Sequence, residues 1–232
     1  MLDLDTAFIN EEFHAEAVSG IEMDDLLANG WRHFGTHFFR YNLNVYEFDI
    51  RQVIPLRIRL ADFSLTKSQR RILRKNADLR TEIRPIVVTD KTEELFERHK
   101  LRFHHGTPDS IYDFVSRKPA KTPCRAMEIC VYEDNNLLAA SFLDIAETSS
   151  SGIYAIFDPK ASSRSPGIFT MLKEIEYSIE NGKMFYYQGY CYAGESFYDY
   201  KKRFRAIEQY EWNGNWESVK EFHRPDAETL SF

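Results

Sequence analysis

The segment from Ala126 to Tyr190, AMEICVYEDNNLLAASFLDIAETSSSGIYAIFDPKASSRSPGIFTMLKEIEYSIENGKMFYYQGY, decides the fold. Ala126–Glu133 reads as a strand, and Asp134, Asn135 and Asn136 as a turn. Leu137–Ile145 is a second strand, Glu147 to Gly152 a second turn, and Ile153–Phe157 a third strand ending at Asp158-Pro159. The polar loop from Lys160 to Pro166 opens a helix over 167–181, with Gly182 as its C-cap. Met184 to Tyr190 is a fourth strand. A helix over 196–204 and a strand over 206–214 follow. Three antiparallel strands, a helix, a strand, a helix and a strand make an α+β module.

That order suggests an acyltransferase-like module and resembles the acyl-CoA N-acyltransferase (GNAT-like) fold, in which the loop before the central helix binds pyrophosphate through backbone N–H groups. Ser162-Ser163-Arg164-Ser165-Pro166-Gly167 occupies that place, and the same residues also suit a plain helix start. Upstream, residues 22–27 are weakly helical and Asn29-Gly30 ends them. Trp31 to Arg40 reads as a strand or hairpin. Residues 45–60 read as extended, with Leu56-Arg57-Ile58-Arg59-Leu60 alternating at period two. Thr66 is a plausible N-cap for Lys67 to Asn76. Arg70, Arg71, Arg74 and Lys75 recur there at offsets of three to four and crowd one face. A polyanion would relieve their repulsion; a solvated face is the other reading. Ile83–Thr89 reads as a strand, Asp90 to about His104 as a helix, and Ile111–Val115 as a short helix. The basic, Pro-bearing loop from Ser116 to Pro123 is the best linker candidate. The expected organisation is a smaller N-terminal α+β module over 1–82 and a GNAT-like C-terminal module over 83–232.

A length of 232 residues fits one large domain or two small ones. Apolar residues are 43% and aromatics 15%, enough to exclude disorder as the main description. No run approaches the 18 apolar residues of a membrane helix. The acidic N-terminus lacks the basic and apolar regions of a signal peptide. Cys124, Cys130 and Cys191 are too few for a disulfide framework, so a cytoplasmic location is the simplest expectation. A net charge of −6 excludes a generic polyanion binder and demands a local basic patch for any nucleic-acid contact.

Several segments together resemble the aminoacyl-tRNA–protein transferases, the family of the arginyltransferases and bacterial leucyltransferases. The similarity lies at Gly30 to Gly35, Phe39-Arg40, Pro55 to Ile58 and, most specifically, Lys67 to Leu79. It continues at Tyr154 to Pro159, Ser165-Pro166-Gly167, Gly189-Tyr190, and Tyr200 to Arg205 followed by Glu208. The resemblance implies an enzyme that moves an aminoacyl group from tRNA to a protein's N-terminal amine and so marks the protein for degradation. Its implied partners are aminoacyl-tRNA and an acceptor protein or peptide N-terminus, with no membrane. Such families carry clustered cysteines between the Phe-Arg and Pro-Leu-Arg-Ile segments. Here that stretch, YNLNVYEFDIRQVI over 41–54, has none, so we expect no metal and no cofactor. Ala206 stands where the family pattern has Pro.

Transfer from an activated ester to an amine mainly requires positioning, a neutral amine and a stabilised oxyanion. Gln188 is the candidate for orienting the amine or oxyanion, since an amide both donates and accepts. Asp158 is the candidate for attracting or deprotonating the acceptor's ammonium. Tyr187, Tyr190, Tyr200, Ser165, Gly167 and Arg32 are candidate substrate-binding residues. Alternation places Tyr190 and Tyr192 on the strand face of Tyr186 and Gln188. Lys67, Arg70, Arg71, Arg74 and Lys75, with Lys201, Lys202 and Arg203, are candidate tRNA-phosphate contacts. Each site residue also has a structural reading: a surface Gln, a turn Asp, core tyrosines. His33 and His37 sit in one expected strand, two pleats apart, and make no metal pair. Glu195 or Asp199 would suit an arginyl donor; an apolar pocket would suit a leucyl one. An acyl-CoA N-acyltransferase and a non-catalytic tRNA- or partner-binding relative remain as alternatives.

Overall fold

The strand Ala126–Glu133 is buried along seven of its eight residues, which places it inside a sheet covered on both faces. The computed structural model describes residues 7–103 and 106–219. In chain order the elements are β1 (Asn10–His14), α1 (Gly20–Ala28), β2 (Arg32–Phe34), β3 (His37–Tyr41), β4 (Leu43–Tyr46), β5 (Asp49–Arg59), α2 (Lys67–Lys75), β6 (Arg80–Pro85), α3 (Asp90–Lys100) and β7 (Ala126–Glu133). They continue with β8 (Asn136–Ile145), β9 (Ser149–Phe157), α4 (Pro166–Glu180), β10 (Phe185–Tyr192), β11 (Ile207–Tyr210) and β12 (Trp216–Ser218). Short 3-10 turns lie at Leu60–Asp62, Ile111–Asp113, Pro159–Arg164 and Phe197–Arg203.

One sheet runs β12-β11-β5-β10-β9-β8-β7-β6, with β4 paired to the start of β5; β1, β3 and β2 form a second, small sheet. β7, β8 and β9 are antiparallel, whereas β10 lies parallel to β9 and α4 makes the crossover between them. This is the GNAT-like α+β arrangement. α4 covers one face, packing Leu172 and Ile175 with Leu56, Ile58, Ile129, Leu143 and Tyr186. α3 covers the other, packing Leu95 and Phe96 with Ala140, Phe142 and Ile156. The boundary at residue 82 falls inside β6, and β5 lies between β10 and β11, so the N-terminal and C-terminal parts are joined through one sheet.

Some elements differ from the sequence reading. β1 is a strand despite its acidity, because Glu11 pairs with Arg40 at 2.7 Å and Glu12 with His37 at 2.9 Å across the β1–β3 ladder. The strand expected over 83–89 is β6, which stops at Pro85; Ile86 turns into the α3 core and Val87 is exposed. α3 ends at Lys100, and His104 lies outside the described residues. His33 and His37 sit on two paired strands, because Gly35, at a φ of 54°, turns the chain between them.

α2 docks through Ile72 and Leu73 and begins with a capping box. The Thr66 hydroxyl accepts from Gln69 N at 3.2 Å, and the Gln69 amide oxygen accepts from Thr66 N at 2.9 Å. Thr66→Ala is expected to destabilise the protein by about 1 kcal/mol. Urea unfolding checks this, and an unchanged midpoint would show that the box contributes nothing.

Candidate functional site

β9 and β10 are hydrogen-bonded only where Ser149, Ser150 and Ser151 face Phe185, Tyr186 and Tyr187. Beyond these residues β9 stays with β8 while β10 follows β5, so the two strands part in a fork at Gly152 and Gln188. A β-bulge marks the β10 prong. Tyr187 pairs with Arg57 and Gly189 with Leu56, which leaves Gln188 as the extra residue. Gly189 takes a φ of 85°, a backbone state that glycine adopts without strain.

The bulge resets the side-chain alternation. Tyr186 and Cys191 share the core beneath α4. Tyr190 and Tyr192 instead pack with Val53, Tyr210 and Trp212, and Tyr187 packs with Trp216. The expected sharing of one face by Tyr186, Tyr190 and Tyr192 is therefore overturned, because a strict period of two does not survive an inserted residue. Gln188 is 3% exposed, and neither its amide nitrogen nor its amide oxygen has a hydrogen-bond partner. A buried primary amide with both ends unused is a costly arrangement unless something polar arrives to meet it.

Polar groups fill both prongs of the fork. Arg32, from β2, donates through Nη1 to the Ser151 hydroxyl and through Nη2 to the Gly152 carbonyl. The Lys201 ammonium donates to the Tyr190 carbonyl at 2.9 Å. A Cβ at Gly189 would lie 3.3 Å from Lys201 Nζ and 3.5 Å from Arg32 Nη2. On the other prong, a Cβ at Gly152 would lie 2.8 Å from Tyr186 Oη and 3.0 Å from Glu174 Oε2. Tyr186 donates its hydroxyl proton to Glu174. Burial pushes the Glu174 carboxyl up to about 7. Burial, and then the nearby Arg32 charge, push the Lys201 ammonium down to about 7. Burial raises Tyr186 well above the ordinary phenol value, with Glu174 adding to the effect.

Behind Arg32, His33 Nε2 meets Asp144 Oδ2 at 2.8 Å, and the Cys124 thiol donates to Asp144 Oδ1 at 3.4 Å. His33 Nδ1 is 2.9 Å from the Gly35 carbonyl, which can only accept, so Nδ1 carries a proton. His33, Cys124 and Asp144 lie close enough for metal ligation, but each is already satisfied by a hydrogen bond, and burial and the Asp144 charge hold Cys124 as a thiol. The trio ties β2 to β8 and so fixes the Arg32 backbone. Residues 41–54, which include the β4–β5 hairpin turn, offer neither Cys nor His and so do not fit a thiolate-bound metal or cluster.

The other expected site residues are spread more widely. Asp158 caps the turn at Pro159–Arg164 by accepting from Lys160 N at 2.9 Å, and it pairs with Arg98 at 3.1 Å. Ser165, at a φ of 55°, leads into α4, and Gly167 lies against Phe157. Tyr200 packs against the α4 core, and burial pushes its phenol up to about 12. The Tyr187 hydroxyl accepts from Arg57 at 3.2 Å, and Tyr190 donates to the Gly30 carbonyl at 2.6 Å. Lys67, Arg70, Arg71, Arg74 and Lys75 are exposed on α2 with no ion-pair partner among the described residues. The second basic run does not form one patch. Lys201 turns into the fork, Lys202 pairs with Asp199 at 2.7 Å, and Arg203 is exposed. Glu174 escaped the sequence reading, although a carboxylate within the apolar stripe of α4, between Thr170 and Ser178, was its signal.

Residues 91–211 match the family described as Arginine-tRNA-protein transferase, C terminus. An aspartate/glutamate leucyltransferase from Cereibacter sphaeroides is 32% identical over 189 residues, covering 77% of this chain and 67% of that protein. One from Marinobacter nauticus is 28% identical, covering 84% of this chain and 81% of that protein. Among solved structures, L-PGS from Bacillus licheniformis matches with a TM-score of 0.46 and 14% identity, covering 81% of this chain and 55% of that one. The family match over more than half of the chain and the 32% identity to a leucyltransferase show that the chain belongs to the aminoacyl-tRNA–protein transferases.

Proposed function

We propose that this protein transfers leucine from its tRNA to the N-terminal amine of proteins or peptides that begin with an acidic residue. The observation that carries the reading is the buried, unpartnered Gln188 amide at the bulge where β9 and β10 part. An acceptor amine or a tetrahedral oxyanion placed in the fork supplies the partner that amide lacks. The donor and acceptor classes follow the names of the relatives.

The amine nitrogen attacks the ester carbonyl carbon, the carbon–oxygen bond to the terminal ribose breaks, and the ribose oxygen takes up a proton. An α-amine has an ordinary pKa near 8, so roughly one molecule in ten is already neutral at pH 7. Glu174, reached through Tyr186, takes the amine's proton at neutral pH because burial has brought the two affinities together. Gln188 orients the amine and the developing oxyanion. Asp158 is already engaged by Arg98, and we assign it to anchoring the loop before α4. Ser165, Gly167 and Tyr200 border the donor's path, while Tyr187 and Tyr190 support the bulge from behind. Residues 1–82 contribute Arg32 to the fork and the basic α2 face for tRNA phosphates, and residues 83–232 contribute the two strands that part there. No helix among the described residues is long and apolar enough to cross a membrane. The free thiols of Cys124, Cys130 and Cys191 suit the cytoplasm.

The test uses tRNA charged separately with labelled leucine, arginine and phenylalanine, and peptides beginning with Asp, Glu, Lys or Arg. Label from leucyl-tRNA in Asp and Glu peptides is the expected result. Transfer only from an acyl-CoA overturns the reading, as does tRNA binding without transfer from any donor.

A further inference from the structure

Two cations meet at Gly189 with no carboxylate bonded to either. Lys201 Nζ and Arg32 Nη2 lie 3.3 and 3.5 Å from one virtual Cβ position, and their hydrogen bonds go to the Tyr190 and Gly152 carbonyls and the Ser151 hydroxyl. The acidic groups nearest Arg32 are committed elsewhere, Asp144 to His33 and Cys124, and Glu174 to Tyr186. Two like charges held together in a half-buried fork repel each other, and an anion between them relieves the repulsion. Glycine at 189 keeps the space beside both cations clear.

Resting on the transferase reading above, we propose that Arg32 and Lys201 form the subsite that binds the side-chain carboxylate of the acceptor's first residue. Location favours a carboxylate over a tRNA phosphate. The pair lies in the fork, beside Gln188, where the acceptor's first residue must sit for its amine to react. Backbone phosphates run along surfaces, where the exposed α2 cations are available to them. The subsite also explains the placement of Lys201. A carboxylate beside it would restore the proton that burial and Arg32 tend to remove, so binding of an acidic acceptor above neutral pH takes up a proton.

The test is calorimetric binding, to the full chain without tRNA, of peptides identical except for Asp, Asn, Glu or Gln at the first position. The wild type is expected to bind the acidic peptides about 10- to 100-fold more tightly, the worth of one charge-assisted hydrogen bond. Arg32→Gln and Lys201→Gln should each abolish most of that ratio, and Lys201→Arg should keep most of it. Proton uptake measured in two buffers should accompany Asp binding at pH 8 and vanish in Lys201→Gln. Equal binding of Asp and Asn peptides by the wild type overturns the subsite, whether or not transfer occurs. A ratio that survives both glutamine variants overturns it too. Variants that weaken binding of uncharged tRNA while keeping the Asp/Asn ratio assign the cations to phosphate instead. If Arg32→Gln fails to fold, the two Lys201 variants decide. An intact Asp/Asn ratio in a protein that transfers nothing would sink the transferase reading and leave the subsite standing.

Discussion

Glu208→Ala should destabilise the protein by about 3–5 kcal/mol, the range for removing one partner from a buried ion pair. The Glu208 side chain is 2% exposed and lies opposite Arg57 in the β5–β11 ladder. It accepts from Arg57 Nε at 2.7 Å and from Arg59 Nε at 3.0 Å. Arg57 cannot retreat to water, because its guanidinium stacks on Phe185 at 3.9 Å and on Trp216 at 4.3 Å. Removing the carboxylate leaves that charge enclosed and unpaired. Thermal unfolding should fall by on the order of 10 °C for a domain of this size. Arg57→Leu combined with Glu208→Leu should recover much of the loss, because an apolar pair leaves no charge to desolvate. A Glu208→Ala midpoint within 1–2 °C of wild type would show that the pair is already solvated in solution.

Arg57 and Glu208 also show what the sequence made legible. The alternation Leu56-Arg57-Ile58-Arg59-Leu60 exposed β5 as a strand, since period two reports local geometry. That the partner of Arg57 is Glu208, 151 residues away, is a matter of topology, and no local pattern carries it. The same division holds for the site. Strand, turn and helix signals located β7, β8, α4 and β10 within a few residues. The bulge at Gln188 was invisible, because YYQGY reads as an unbroken strand unless the partner register on β5 is known. With the register hidden, the faces of Tyr190 and Tyr192 came out reversed. Lys201 shows the same limit of local pattern. Composition placed it in a basic surface run, whereas the turn at Phe197–Arg203 rotates its ammonium into the fork, next to an arginine from the other end of the chain. Nor does any local pattern show β1, whose Glu11 and Glu12 are balanced only by Arg40 and His37 of the distant β3.

Glu174→Gln should remove a pH dependence of stability worth about 3 kcal/mol, the free-energy equivalent of the upward displacement of its carboxyl. Folded Glu174 titrates near 7, against an ordinary value of 4.5 when the chain is unfolded. Between those values the folded protein keeps a proton that the unfolded chain has released. The Glu174 contribution to stability is therefore greatest below about pH 4.5, declines as pH rises, and levels off above 7. Tyr186, Ser141, Arg32 and Asp144 face the carboxyl, and desolvation outweighs the stabilisation that Tyr186, Ser141 and Arg32 give its charged form. Lys201 acts in the opposite sense at higher pH. Its folded value near 7 lies below the unfolded 10.5, so its contribution rises across that interval. Glutamine keeps an acceptor for the Tyr186 hydroxyl and never ionises. The variant should match the wild type near pH 4.5 and exceed it at pH 8, with the decline between them gone. Urea unfolding at half-unit pH steps measures both curves. Parallel curves would mean that Glu174 ionises in the fold as easily as in water. The gain should carry a functional cost, because a proton acceptor is removed from the fork. Transfer by Glu174→Gln should fall by about 100-fold in kcat with little change in peptide KM, and lose its rise with pH near neutrality. A stabilised variant that transfers at the wild-type rate would leave the carboxylate a buried strain and assign the proton to solvent.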